Sequence, residues 1–188
     1  MQKIFLFRTG VVSSKENIFL GWLNFPLNSQ GLSQAKQVSK KLLKTSIDFA
    51  FCSDQTRGKQ ALVEVLKQHK NTKVIIDHRL RDKNYGVFSG HEKKVFKDYL
   101  PGKYLEIHRG YHTKVQKGEN LHDVSKRVFN FMNDVLNFMK KENGNVVICA
   151  HNSSLKLIRA YLEDLDKKET MLIEQSPNVV KEYGLKFD

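Results

Sequence analysis

Charged or titratable side chains come after each of four short apolar runs in the sequence. Arg8 comes directly after the first run, and Arg57 lies one helical turn beyond the end of the second. Asp82 comes after the third run, and His151 directly follows the fourth. Arginine forks and imidazole N–H groups are donors that match the acceptor oxygens of a phosphate group. The residue types at these positions therefore predict a site for a phosphorylated ligand.

These runs have the composition of buried strands. They cover residues 3–7, 47–52, 73–77 and 145–150, and each is apolar on both faces, which is typical of central strands covered on both sides. Helical patterns lie between them, and strands that alternate with helices indicate an α/β fold with a mainly parallel sheet. In such a sheet the ligand site lies at the carboxyl ends of the strands. The polar groups that follow the runs are therefore expected to converge in one crevice.

The helical patterns cover residues 32–43, 56–68, 119–141 and 152–165. In the third and longest of them, apolar residues recur from Leu121 to Phe138 at steps of three and four, which places them on one helix face. Residues 178–187 are expected to add an edge strand, and residues 90–117, rich in Lys, His and Tyr, to form an insertion over the sheet edge. The sequence contains no internal repeat and no flexible linker, so residues 1–188 are predicted to form a single domain.

The composition limits the classes of protein and partner. The chain has 188 residues, 40% of them hydrophobic and 28% charged, which is ordinary for a globular domain. Its apolar runs are too short for a membrane span or for the core of a signal peptide, and two cysteines do not build a disulfide scaffold. A reducing, cytoplasmic location is therefore expected. The net charge of +12 predicts an anionic partner: a phosphate ester, a nucleic acid or an acidic lipid.

Several short motifs follow one another along the chain. They are Arg8-Thr9-Gly10, Ser53 with Arg57, Asp82 before Tyr85-Gly86, and Ala150-His151-Asn152-Ser153-Ser154-Leu155. The series resembles the histidine phosphatase superfamily and, within it, the cofactor-dependent phosphoglycerate mutases. That family has Arg-His-Gly after its first strand, a Ser followed four residues later by Arg, a carboxylate before Tyr-Gly, and Ala-His-Gly-Asn-Ser-Leu. The resemblance implies a three-layer αβα sandwich with a mainly parallel central sheet.

The resemblance also implies roles for individual residues. Thr9 would stand where the family has its phospho-accepting histidine, His151 would be the second family histidine, and Asp82 the acid/base carboxylate, which is usually Glu. The ligand would be a small phosphorylated molecule of the phosphoglycerate kind, and the tendency of the mutases to associate implies a homodimer. The residues implied to bind the phosphate group are Arg8, Arg57 and Asn17, and those implied to bind the rest of the substrate are Tyr85, Lys93, Arg109, Asn152 and Ser153.

No cofactor and no metal ion is predicted. The histidines other than His151 have no spacing typical of a metal site. Cys52 and Cys149, the two cysteines, lie far apart in the sequence. The site is therefore expected to work, if it works as an enzyme, with protein side chains alone.

The threonine at position 9 conflicts with the covalent chemistry of the family. The family histidine attacks the phosphoryl group and forms a phosphoramidate, which water or a second substrate then discharges. A threonine hydroxyl is a poor nucleophile near neutral pH, and a phosphothreonine is an inert monoester. Loss of the covalent route is expected to raise the barrier by roughly 6 kcal/mol or more. Asp82, one methylene shorter than Glu, also reaches less far toward a leaving oxygen.

Three functions remain open from the sequence. The first is a catalytically impaired or inactive family member, a pseudoenzyme, that still binds a small phosphorylated anion. The second is an active phosphatase or mutase with altered chemistry, in which His151 acts as nucleophile or base and Asp82 as acid. The third, ranked below both, is a nucleic-acid or protein-binding module that uses the positive charge and the aromatic residues Tyr99, Tyr104 and Tyr111.

Overall fold

A mainly parallel sheet forms the centre of the molecule. The computed structural model describes residues 1–15, 17–99 and 101–187, without the side chains of Phe96, Tyr99 and Arg109. The sheet has the order β3-β2-β4-β1-β5, and among these strands β5 alone runs antiparallel to its neighbour. The prediction of an α/β fold with a mainly parallel sheet is therefore confirmed. The strands are β1 (Gln2–Arg8), β2 (Phe49–Cys52), β3 (Lys73–Ile76), β4 (Val146–Ala150) and β5 (Val180–Leu185).

Helices cover both faces of the sheet. Within the part of the chain that the structure describes they are α1 (Ser29–Leu42), α2 (Thr56–Val65), α3 (Lys93–Tyr99), α4 (Tyr104–Arg109), α5 (Leu121–Glu142), α6 (Asn152–Glu163) and α7 (Lys167–Leu172). One core lies between the sheet and α1 and α2, and a second lies between the sheet and α5 and α6. This arrangement confirms the three-layer αβα sandwich. None of the described helices is long and apolar enough to cross a lipid bilayer.

The alternation of side chains along β1 explains why the core has two halves. Ile4 and Leu6 pack with α5 and α6, whereas Phe5 and Phe7 pack with α1 and α2. Successive residues of a strand point to opposite faces of its sheet, so a strand that is apolar throughout can fill both cores. All four side chains are almost completely buried. The prediction of strands covered on both sides is confirmed for β1, and likewise for β2 and β4.

The expectation of a central strand at residues 73–77 is wrong. The strand β3 lies at the edge of the sheet and pairs with β2 on one side. Val74 is 52% exposed and Ile76 is 46% exposed. A short apolar run has the same composition at an edge as in the centre, so periodicity alone does not separate the two positions. The edge strand expected within residues 178–187 is confirmed by β5.

Capping residues determine where the longest helix begins and ends. The side chain of Asn120 accepts a hydrogen bond from the backbone N of Asp123 (2.8 Å), and the Asp123 carboxylate accepts one from the backbone N of Asn120 (3.2 Å). This reciprocal pair satisfies amide groups that the first helical turn leaves without partners. Asn143, in a left-handed conformation, ends the helix. The apolar face predicted from Leu121 to Phe138 thus lies against the sheet.

Residues 90–93 are joined to the chain that follows β1. The backbone N of Lys93 donates to the carbonyl of Asn17 (2.7 Å), that of Phe19 donates to His91 (3.0 Å), and that of Gly90 donates to Phe19 (2.8 Å). Beneath them Phe19 packs in a small apolar cluster with Tyr85, Ile107 and Val115. The segment that contains α3 and α4 therefore lies beside the carboxyl end of β1. The single domain with an insertion at about 90–117 stays a prediction.

Candidate functional site

A cavity of about 450 Å³ opens at the carboxyl ends of β1 and β4. The side chains expected to converge do so, because this cavity is lined by Arg8, Thr9, Arg57, Asp82 and His151, together with Asn17, Lys93 and Asn152. A larger cavity of about 610 Å³ lies at the opposite end of β2 and β3, and none of the predicted site residues lines it. The predicted site residues that line the first cavity thus lie at the carboxyl ends of the strands, where α/β proteins bind ligands.

The parallel register of β1 and β4 places Thr9 beside His151. Arg8 is paired with Ala150, and the backbone N of Thr9 donates to the carbonyl of Ala150 (2.9 Å). Thr9 and His151, the residues that follow this pair, therefore lie side by side at the ends of the two strands. Thr9 Oγ1 lies 3.3 Å from His151 Nδ1. The two residues at the ends of β1 and β4 form one hydroxyl–imidazole pair.

Two further contacts assign the proton of His151. Arg57 Nε donates to His151 Nδ1 (3.2 Å), and Ser53 Oγ lies 2.6 Å from His151 Nε2. An arginine N–H is always a donor, so Nδ1 must carry the lone pair and the proton of a neutral ring must lie on Nε2. Nε2 then donates to Ser53 Oγ. The lone pair of Nδ1 points to the side of the ring where Thr9 and Arg57 lie.

Burial and charge keep this imidazole neutral. His151 is 1% exposed, and burial, followed by the positive charge of Arg57, lowers the pKa of its ring well below the ordinary value. Burial alone would raise the pKa of the Asp82 carboxyl, but the positive charge of Arg57 lowers it. Backbone N–H groups of Ser153 (3.1 Å) and Lys83 (2.9 Å) also donate to Asp82 Oδ1. The pKa of Asp82 is therefore lowered, and at neutral pH the site holds a neutral imidazole and a carboxylate.

The two arginines of the cavity are held differently. Arg57 is 2% exposed, and its terminal nitrogens donate to the carbonyls of Leu23 (2.6 Å) and Gly21 (2.7 Å) and to Gln55 Oε1 (3.1 Å). Arg8 is half-buried, and in the described part of the chain its side chain has one hydrogen-bond partner, the carbonyl of Gln175 (3.2 Å). Arg57 is thus a rigid cation at the floor, and Arg8 keeps N–H donors for a ligand.

Arg127 holds the backbone that carries Asp82, a role that the sequence interpretation missed. Its guanidinium donates to the carbonyls of Arg79 (2.5 Å), Arg81 (2.8 Å) and Asp82 (2.9 Å). Its remaining donors form a two-point contact with Glu119 (2.9 and 3.0 Å). Glu119 lies directly before Asn120, the cap of α5, and Arg127 lies about two helical turns further along the chain. The spacing of these two residues was the available signal.

Lys83 is a second residue that the sequence interpretation missed. It is completely buried, and its Nζ donates to the carbonyl of Ile107 (2.5 Å) and lies 5.2 Å from the ring centre of Tyr85. Burial lowers the pKa of this ammonium to about 8, although Asp82 and Glu119 oppose the shift. Because Ile107 belongs to α4, Lys83 connects the backbone next to Asp82 with the segment beside the cavity.

The structure does not bring all predicted substrate residues into the cavity. Tyr85 is 7% exposed and lies outside the lining, because its ring packs against Phe19 with centres 4.6 Å apart. Ser153 is buried and meets the site through its backbone N, which donates to Asp82. Lys93 and Asn152 line the cavity. The side chain of Arg109 lies outside the described residues.

Among the residues that the structure describes, no three His, Cys, Asp or Glu side chains come together as metal ligands. Cys52 and Cys149 are both buried and free. Burial raises the pKa of each thiol, which keeps both in the protonated form that binds metals poorly. The cavity offers an anion the cationic and hydrogen-bonding side chains of Arg8, Arg57 and Asn17.

Comparison with known proteins identifies the family. The sequence profile of the histidine phosphatase superfamily (branch 1) matches residues 4–183. The chain belongs to this superfamily. Among its curated relatives is a 2,3-bisphosphoglycerate-dependent phosphoglycerate mutase of Methanococcus vannielii, 27% identical over 97% of this chain and 89% of the mutase.

Several solved structures share the fold. The YhfR protein of Bacillus stearothermophilus superposes with a TM-score of 0.88 at 20% identity, over 99% of this chain and 92% of that one. A mycobacterial glucosyl-3-phosphoglycerate phosphatase superposes with a TM-score of 0.87 at 20% identity, over 97% of this chain and 90% of that one. Proteins named as mutases and proteins named as phosphatases thus both occur among those that this chain resembles.

Replacement of His151 by Gln is expected to flatten the loss of stability in mild acid. The folded protein keeps His151 neutral below the ordinary histidine pKa of about 6.5, whereas the unfolded chain takes up the proton. The free energy of unfolding of the wild type should therefore fall as the pH drops below about 6.5, by up to about 1.4 kcal/mol per pH unit from this residue. Urea unfolding at several pH values between neutrality and about 5 measures the slope. Equal slopes in wild type and His151→Gln would contradict the neutral buried ring.

Arg127→Met is expected to destabilise the protein by about 3 kcal/mol, because it leaves Glu119 and three carbonyl groups without their donor. Hydrogen exchange of the amides from Arg79 to Lys83 should accelerate in the same variant. Lys126→Met is the matched control, since Lys126 is exposed on the same helix turn, and it should change the free energy of unfolding by less than about 0.5 kcal/mol. Similar effects of the two substitutions would show that Arg127 does not hold this backbone.

Proposed function

We propose that this member of the superfamily binds a small phosphorylated anion of the phosphoglycerate kind and is impaired in, or lacks, turnover through a phosphohistidine. The observation that carries the proposal is the pair formed by Thr9 Oγ1 and His151 Nδ1, 3.3 Å apart. Thr9 lies at the end of the first strand within Arg8-Thr9-Gly10, where the family motif has Arg-His-Gly. A hydroxyl at this position has no ring nitrogen with which to form a phosphoramidate.

The cavity has the charge and the donors that a phosphate group needs. Arg57 supplies a buried cation, Arg8 a cation with donors to spare, and the start of α6 at Asn152 adds backbone N–H groups at the positive end of a helix. A volume of about 450 Å³ lies within the range of small-molecule sites. Relatives that are named as phosphoglycerate mutases and phosphatases support the same class of ligand.

The ionisation of Asp82 argues against efficient acid catalysis in the free protein. A carboxyl with a lowered pKa is ionised at neutral pH and has no proton for a leaving oxygen. A bound phosphate dianion would raise that pKa, because like charges disfavour ionisation. The active alternative, with His151 as base for a water molecule and Asp82 as acid, therefore depends on the ligand to supply the proton. Its supporting observation is the neutral ring of His151.

Two of the three tyrosines proposed as a stacking surface, Tyr104 and Tyr111, contact other side chains with their rings. Lys97 Nζ lies 4.8 Å from the ring centre of Tyr104, which also stacks on His108 with centres 5.3 Å apart. Lys167 Nζ lies 5.1 Å from the ring centre of Tyr111. The side chain of Tyr99 lies outside the described residues. Bases would have to displace these contacts before they could stack, which favours the small anion over a nucleic acid.

A homodimer stays a prediction. The edge strand β3 is a suitable surface for it, because Val74 and Ile76 are exposed there. Apolar side chains on an open strand edge favour pairing with a second strand. The cytoplasmic location also stays a prediction.

Arg8→Gln is expected to weaken the binding of inorganic phosphate by about tenfold or more, because one charge-assisted hydrogen bond is lost. Isothermal titration with inorganic phosphate, at constant ionic strength, measures the dissociation constant. Lys36→Gln removes the same charge from an exposed position on α1 and serves as the control. If both variants lost affinity equally, general positive charge rather than the cavity would account for binding.

Thr9→His is expected to raise the hydrolysis of p-nitrophenyl phosphate by about 10²-fold or more over the wild type, because it restores the covalent route. Release of nitrophenol measures the rate of the reaction, and an acid-labile phosphoryl group on the protein reports the covalent intermediate. Thr9→Asn is the matched control, since Asn has a similar size and no nucleophilic nitrogen. A wild type that already turns over as fast as Thr9→His would overturn the proposal in favour of the active alternative.

A further inference from the structure

We propose that Thr9 is a phosphorylation site that the protein modifies itself, by a single transfer of a phosphoryl group from a small acyl phosphate bound in the cavity to Thr9 Oγ1. The inference rests on the proposed function, because the donor must first occupy the anion site. It goes beyond that function, since the product is a modified protein rather than a bound ligand.

The hydroxyl of Thr9 is held in place among the groups that would bind the donor. Thr9 is 6% exposed and lines the same cavity as Arg8 and Arg57. Its backbone N donates to the carbonyl of Ala150 (2.9 Å), and its branched Cβ restricts the side chain to few rotamers. A phosphoryl group bound by the arginines would therefore meet an oriented hydroxyl rather than a mobile one.

The proton of that hydroxyl has an acceptor. The lone pair of His151 Nδ1, which accepts the hydrogen bond from Arg57 Nε (3.2 Å), also faces Thr9 Oγ1 at 3.3 Å and takes the hydroxyl proton as the bond from Arg57 yields. In the transfer the bond between Thr9 Oγ1 and phosphorus forms while the bond between phosphorus and the acyl oxygen breaks. The hydroxyl proton passes to His151 Nδ1 and then to water, and the acyl oxygen leaves as a carboxylate. Hydroxyl and acyl phosphate dianion thus give phosphothreonine, a carboxylate and one proton.

Weak basicity of the ring does not prevent this step. Phosphoryl transfer proceeds through a loose transition state, in which the nucleophile has formed little bond and the proton leaves late. Stabilisation of charge on the phosphoryl oxygens then matters most, and Arg8 and Arg57 supply it. The negative phosphoryl group also makes protonation of the imidazole easier as the transfer proceeds.

The state of Asp82 selects the class of donor. An alkyl phosphate releases an alkoxide, which must be protonated as it leaves, and the backbone N–H groups of Ser153 and Lys83 that donate to Asp82 Oδ1 favour its ionised form, which has no proton to give. An acyl phosphate releases a carboxylate, which needs none. The site is therefore matched to an acyl phosphate rather than to an ordinary phosphate ester.

The lack of a proton donor for a leaving alkoxide also makes the phosphothreonine persist. Discharge of phosphothreonine would require Thr9 to leave as an alkoxide, and uncatalysed hydrolysis of phosphate monoesters is among the slowest reactions known. The phosphate would add about −1.5 to −2 charge between the two arginines. Modified protein should therefore no longer bind inorganic phosphate, and the reaction should stop after one turnover.

Incubation of the wild-type protein with acetyl phosphate tests the inference. Intact-mass spectrometry should show a gain of about 80 Da, one phosphoryl group, which survives acid treatment and maps to Thr9 by peptide fragmentation. Saturating inorganic phosphate should abolish the gain by competition. His151→Gln should slow it by roughly tenfold or more. Acetylation of lysines by acetyl phosphate adds a different mass, so the spectrum distinguishes it from phosphorylation.

Variants at two threonines give the controls. Thr9→Val should show no phosphoryl gain, and Thr9→Ser, which keeps the hydroxyl, should be labelled at the new side chain. Thr45→Val should be labelled as the wild type is, because Thr45 lies at the opposite end of the sheet. Circular dichroism establishes that each variant is folded.

The outcomes separate the inference from the proposed function. Binding of inorganic phosphate without any gain at Thr9, or equal labelling of Thr9→Val, would overturn the phosphorylation site and leave the anion site intact. Absence of both phosphate binding and labelling would overturn the two together. A phosphoryl group found on His151 instead of Thr9 would assign the nucleophile to the imidazole and also contradict the inference.

Discussion

The hydrogen bond from Arg57 Nε to His151 Nδ1 determines the chemical state of the cavity. Because the guanidinium cannot accept, it fixes which ring nitrogen has the lone pair, and its positive charge, together with burial, lowers the pKa of the ring. It also lies between two strands, since Arg57 follows β2 and His151 follows β4. One contact therefore sets the tautomer, the charge and the orientation of the group that faces Thr9.

Much of this arrangement was accessible from the sequence, for a physical reason. Parallel strands end at a common edge, so residues that follow successive apolar runs must meet there whatever the details of packing. Arg8, Arg57 and His151 could be placed together by this rule alone. The long helix was equally predictable, because its apolar residues from Leu121 to Phe138 recur at helical steps. Local pattern and global fold support each other at these positions.

Other features depended on contacts that a sequence pattern does not express. The edge position of β3 depends on which strands pair with each other. A valine such as Val74 occurs both in edge strands and in central strands, so its residue type does not reveal the position. The motif that contains Tyr85 implies a ligand-binding residue. In the structure the ring of Tyr85 packs in an apolar cluster against Phe19, which lies more than sixty positions earlier in the chain. Arg127 and Lys83 donate to backbone carbonyl groups. Because every residue has a backbone carbonyl, the residue types in the sequence do not identify these partners. Such partners are invisible until the backbone is folded.

The backbone pairing between residues 17–19 and 90–93 has a kinetic consequence. Asn17 and Lys93, which line one side of the cavity, are joined by a main-chain hydrogen bond, and the bonds among Phe19, Gly90 and His91 continue the pairing of the two segments. Rotation of a side chain does not break these bonds, because they belong to the backbone. Separation of the two segments is therefore a local opening of microseconds or longer, slower than the motions of the exposed side chains around the cavity.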